Sequence, residues 1–115
     1  MRRLAPIAFA ALLTFAALAS DLVGTWTATA TGKNGPIKLE FTFKRTGAVL
    51  TGTAATPVGK LPISQIKVIG DKISFVVLNG KFKIIHEGTI SGDEMKLKIH
   101  NPGETMDAIA KRAGP

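Results

Sequence analysis

The 115-residue chain has no cysteine, a single tryptophan, two histidines and eight acidic residues. Without cysteine there can be no disulfide staple, and acylation as a lipoprotein is excluded. The acids are Asp21, Glu40, Asp71, Glu87, Asp93, Glu94, Glu104 and Asp107. Most fall on turns or outward strand phases, which argues against paired general acid–base chemistry. Ser64, Ser74 and Ser91 lie in no nucleophile elbow. No glycine-rich phosphate loop is present, and two histidines in different settings do not make a zinc set. Helical periodicity is missing as well. These absences point away from catalysis and from any cofactor or metal.

What is present begins with Met1-Arg2-Arg3 and an uncharged apolar run from Leu4 to Leu18. With Ala17 and Ala19 as small residues, this is the pattern of a secretory signal peptide cut after Ala19. The run is short for a membrane-spanning helix. The reading is therefore a signal helix over 1–19 and one domain over 20–115, exported to the periplasm or outside the cell with no stable membrane anchor after processing. Without Arg2 and Arg3 the chain carries a net charge of +5 instead of +7. A domain this small needs a closed, well-packed core, and a barrel supplies one while removing sheet edges.

After Ala19 the apolar residues alternate. Turn signals recur at Lys33-Asn34-Gly35, Thr46-Gly47, Pro57-Val58-Gly59, Gly70-Asp71, Asn79-Gly80, Gly92-Asp93 and Asn101-Pro102-Gly103. They predict eight strands, about 22–32, 36–45, 48–56, 60–69, 72–78, 81–91, 94–100 and 104–112. Each hairpin can be folded on its turn to see which residues meet. Around Asn34-Gly35, Trp26 faces Phe43 and Ala28 faces Phe41. Around Thr46-Gly47, Phe43 faces Leu50 and Phe41 faces Gly52. Around Gly70-Asp71, Val68 faces Ile73 and Ile66 faces Phe75. Around Asn79-Gly80, Val77 faces Phe82 and Phe75 faces Ile84. Around Gly92-Asp93, Ile90 faces Met95, Gly88 faces Leu97 and His86 faces Ile99, with Glu87 opposite Lys98 outside. Ile63 and Ile66 can both point inward only across a β-bulge near Ser64-Gln65. The fold class is all-β, an eight-stranded antiparallel up-and-down barrel. Closure sets the last strand beside the first and brings Arg112 over Trp26 as a cation–π pair.

Gly24-Thr25-Trp26 with a basic residue, Arg112, at the end of the last strand resembles the lipocalin and calycin signature. Leu50-Thr51-Gly52-Thr53 resembles a stretch of avidins, but the tryptophans of a biotin site are absent and biotin binding is not carried over. The whole pattern resembles small secreted bacterial proteins of unassigned function. The resemblance implies a small lipocalin-like barrel. Gly24, Trp26, Phe43, Leu50 and Arg112 then form a plug at its closed end, and any mouth opens at the other.

Candidate ligand contacts follow from the inward phase. His86 is the titratable group placed at mid-barrel, either a ligand contact or a hydrogen-bonded core histidine. Small interior residues, Ala30 and Ala54 among them, face Phe41, Phe75, Phe82 and Ile84. They leave room for one small ligand or are filled by those rings. Lys33, Asn79, Lys81 and Asn101 ring the expected mouth, which would suit an anionic or amphipathic ligand, or would simply be turn and solubility residues. Lys81, Lys83, Lys96 and Lys98 lie outside strands six and seven without interleaved aromatics, so no nucleic-acid partner is expected. The functional expectation is an exported, non-catalytic protein that binds a small apolar or amphipathic molecule. The alternative is an envelope interaction or inhibitor module acting through an outer patch of Val49, Val76 and Ile85.

Overall fold

The computed structural model describes residues 22–113. The expected signal segment over 1–19 lies outside them. Eight strands follow in order: β1 Gly24–Gly32, β2 Gly35–Thr46, β3 Val49–Thr56, β4 Gly59–Ile69, β5 Lys72–Asn79, β6 Phe82–Ser91, β7 Glu94–Asn101 and β8 Glu104–Arg112. Each pairs antiparallel with the next, and β8 pairs with β1 to close the barrel. Alternation dictates this. Inward positions such as Trp26, Ala28 and Ala30, or Met95, Leu97 and Ile99, are buried, while the residues between them are not. Closure pairs β1 with β8, so neither terminal strand is left as a free sheet edge.

The turns set the register, and here the structure corrects three expectations. Gly47, Gly70, Gly80 and Gly92 each have φ of 62° and stand first in a two-residue loop. That is the φ signature of a type II′ hairpin turn, in which glycine occupies the first central position. At Gly70-Asp71 and Gly92-Asp93 the glycine is first in the expected loop too, and Val68 pairs with Ile73, Ile90 with Met95 and His86 with Ile99. Ile66, by contrast, falls within the β4 bulge and is not in register with Phe75. At Thr46-Gly47 and Asn79-Gly80 the glycine was expected second. Its move to first shifts the pairing by two, so Phe43 faces Gly52, Arg45 faces Leu50, Phe75 faces His86 and Val77 faces Ile84. At the first hairpin the loop is Lys33-Asn34, and Trp26 faces Phe41 instead of Phe43. A slip of two preserves every face, because side chains alternate with a period of two.

The expected bulge is present. The β4–β5 register shifts between Ser64 and Lys67, and Gln65 takes φ of 52°. Ile63 is buried on one side of it, and Ile66 packs against the core on the other.

Candidate functional site

The barrel interior divides at an aromatic layer. Phe75 meets Phe41 at 5.4 Å and Phe43 at 5.3 Å, both edge to face. His86 stacks on Phe75 at 4.7 Å and 21° and meets Phe41 edge-on at 5.5 Å. Such pairs stabilise by about 0.5–1.5 kcal/mol beyond the area they bury.

On one side of the layer the barrel is filled. Trp26 is fully buried, and its Nε1–H donates to the Leu22 carbonyl at 2.9 Å. Leu22 is fully buried as well, so the chain entering β1 closes the base. The Arg112 guanidinium lies 4.3 Å from the Trp26 ring, as closure demands. It also donates to the Val23 carbonyl at 2.8 Å and to Asp93 at 3.0 Å. Gly24 has φ of 129°, and a Cβ there would come within 3.1 Å of the same guanidinium. Gly24, Trp26, Phe43 and Arg112 are thus brought together at this end of the barrel. Leu50 is half-buried against the core, opposite Arg45 and not Phe43.

On the other side the barrel is open. A cavity of about 350 Å³ runs from the aromatic layer to the β3–β4 turn. Phe41 and His86 lie at its inner end; Ile37, Leu39, Leu61, Ile84, Ile99 and Met106 make its walls; Thr56, Pro57, Val58, Asn79 and Asn101 belong to its outer part. Its volume lies at the small end of the range for ligand pockets.

The sequence-predicted residues divide accordingly. Phe41, Ala54, His86, Asn79 and Asn101 line the cavity. Phe75 lies one layer deeper, behind His86. Ala30 is fully buried in the packed core instead. Phe82 keeps the inward phase but pairs with Asn79 at the strand end, so it is 54% exposed and does not fill the interior. The two lysines are not in the wall. Lys33 turns across to the β7–β8 turn, where its Nζ donates to the Gly103 carbonyl at 3.0 Å, and its backbone N–H donates to Glu104 at the start of β8. Lys81 is exposed on the β5–β6 turn. Both lysines thus stand on turns at the open end and not among the residues that line the cavity. The walls missed by sequence reasoning, Ile37, Leu39, Leu61, Ile99 and Met106, share the inward phase of the aromatic layer. Ile37 and Leu39 sit four and two residues nearer the open end than Phe41, and continuing that phase outward would have found them. Leu61, Ile99 and Met106 lie across the ladder from Ala54 and His86, so following the register sideways would have found those.

The expected outer patch also fails. Val76 is 8% exposed, and β4 and β5 stand between Val49 and Ile85. Glu87 and Lys98 are opposite in register, but Lys98 pairs with Asp107 at 2.9 Å and Glu87 with His100 at 2.9 Å.

His86 is the polar group inside. It is 3% exposed, and Nδ1 lies 3.1 Å from the Ile84 carbonyl. A carbonyl only accepts, so Nδ1 carries the proton in the neutral ring. Burial pushes the imidazole from its ordinary 6.5 down to about 4; nearby His100 adds to this and the Ile84 bond opposes it. The ring is neutral at pH 7.

Neither a family model nor a curated protein matches this sequence. Solved structures do share the fold. A Schistosoma mansoni fatty acid binding protein in complex with arachidonic acid aligns at TM-score 0.55 and 15% identity, over 83% of this chain and 98% of that one. A point mutant of the fluorescent protein UnaG aligns at TM-score 0.50 and 10% identity, over 79% of this chain and 95% of that one. At such identities the likeness is one of barrel architecture.

Proposed function

We propose that this protein is an exported, non-catalytic carrier or sensor of a small apolar or amphipathic molecule, held in the open half of the barrel. One observation carries the reading: the cavity of about 350 Å³ between the aromatic layer and the β3–β4 turn. Its walls are mostly aliphatic, with a few polar groups at fixed points, as ligand sites are built. The volume equals that of roughly a dozen water molecules, which suits a molecule much smaller than the barrel. A fatty acid binding protein of similar fold, seen with arachidonic acid, supports the same class of role. The signal-type segment over 1–19 supports export.

Native mass spectrometry of protein expressed from the full sequence tests both parts. The expected polypeptide mass is that of a chain starting at Ser20, with a small organic molecule carried along. An apolar fluorescent dye should bind the delipidated protein, and Ala54→Trp, which projects an indole into the cavity, should remove that binding while leaving a cooperative melt. Dye binding unchanged in Ala54→Trp, or absent from the parent protein, sinks the cavity reading. A retained leader sinks the export reading.

A further inference from the structure

The inner end of the cavity has a hydrogen-bonding polarity that narrows the ligand. His86 Nδ1–H is spent on the Ile84 carbonyl, and Nε2 has no protein partner. Among the described residues no buried side-chain nitrogen or oxygen lacks a partner. Nε2 therefore reaches accessible surface, and the surface that His86 lines is the cavity. In this tautomer Nε2 is a lone-pair acceptor. No lysine or arginine lines the cavity. The rings and side chains packed around the imidazole inside the barrel, Phe41, Phe75 and its cross-strand neighbour Ile99, are all apolar. Glu87 and His100 belong to the outer face, where they bond to each other.

We propose that the cavity selects an uncharged ligand with an apolar body and an O–H donor, an alcohol or phenol, whose hydroxyl seats on His86 Nε2, and that it discriminates against carboxylates. This rests on the cavity reading above and sharpens it. A carboxylate would bring a second acceptor against the Nε2 lone pair, with no cation in the wall to offset its desolvation. An apolar molecule without a donor would fit but would cover Nε2 unsatisfied, which costs more than the hydrogen bond itself contributes. A hydroxyl satisfies the nitrogen and leaves the chain in the aliphatic part. The cavity thus reads a donor where a fatty-acid site must read an anion.

The experiment compares three probes of nearly equal size at pH 7.5 by calorimetry or dye displacement: 1-octanol, heptyl methyl ether and octanoate. Octanol should bind about tenfold more tightly than the ether, and octanoate more weakly than octanol. His86→Phe should erase the octanol–ether difference while the ether still binds. His86→Gln, which restores an acceptor, should recover part of the preference and serves if the Phe variant does not fold. In the parent protein, nitrogen NMR should show His86 protonated on Nδ1, with the Nε2 resonance moving when octanol is added. Equal affinities for the three probes, tighter octanoate binding, or an Nε2–H tautomer would overturn the donor preference and leave the cavity reading standing. Failure of all three to bind would remove the cavity reading itself.

Discussion

His86 joins the chemistry of the site to the stability of the fold. Its ordinary value of 6.5 is lowered to about 4 in the folded state, chiefly by burial. Between those values the unfolded chain binds more protons than the folded one, so stability rises with pH. The contribution is complete above pH 6.5, falls as the pH drops toward 4, and changes no further below that. The difference corresponds to about 3 kcal/mol. Urea titrations from pH 7.5 to 4 should show this loss, and His86→Leu should flatten it relative to the parent chain. A parallel pair of curves would mean that the imidazole is not buried as described. The residue was legible from sequence because the Gly92-Asp93 hairpin fixes its phase without ambiguity. Its bond to the Ile84 carbonyl was not, since that depends on the ring torsion and not on the phase.

The hairpins show what sequence can and cannot decide at the level of elements. Strand order, closure, the bulge and the inward face of every strand followed from alternation. The partner across each strand did not always follow, because Thr46-Gly47 and Asn79-Gly80 read equally well with glycine second. Shifting these loops by one residue shifts the pairing by two, which moves neighbours without moving faces. Hence Phe41, Ala54 and His86 were found, while Ile37 and Leu39, farther along the face of Phe41, and Met106, across the ladder from His86 through Ile99, were not placed around one space. Two glycines of β6 and its turn separate the reasons for glycine. Gly92 needs its positive φ, whereas a Cβ on Gly88 would collide with the Lys96 carbonyl of β7. Gly92→Ala should cost about 1–2 kcal/mol. Gly88→Ala should cost about 3 kcal/mol or more, since backbone must yield. Denaturant midpoints measure both, and Gly92→Asn should recover most of the first loss but would not help at Gly88. Equal costs at the two sites would contradict the collision.

Taken whole, the barrel is two compartments on one sheet. The half below Phe75 and His86 is packed with Trp26, Leu22, Met95 and their neighbours, and the half above them is hollow. A small chain without disulfides can keep a cavity this way, because its closed half supplies the core. That half depends on β8, which carries Ala108, Ala110 and Arg112 against β1. Deleting residues 104–115 should remove cooperative unfolding and expose the edges of β1 and β7. Size-exclusion chromatography and circular dichroism should then report aggregates in place of a monomer with a sharp melt. A monomeric, cooperatively melting deletion would show that the ring need not close.

The bond from Arg112 to the Val23 carbonyl spans 89 positions, whereas seven of the eight strand pairings join neighbours in sequence. The difference is one of timing. Each neighbour pairing closes a short loop and can zip early, on the microsecond scale of isolated hairpins. The last pairing must bring the two ends of the sheet together, the most entropically demanding step of all. Until residue 112 is available, the tryptophan has no guanidinium over it. Without that last pairing the residues that line the cavity enclose nothing. The lock that finishes the fold is thus also the event that first encloses a space in which a ligand can be held.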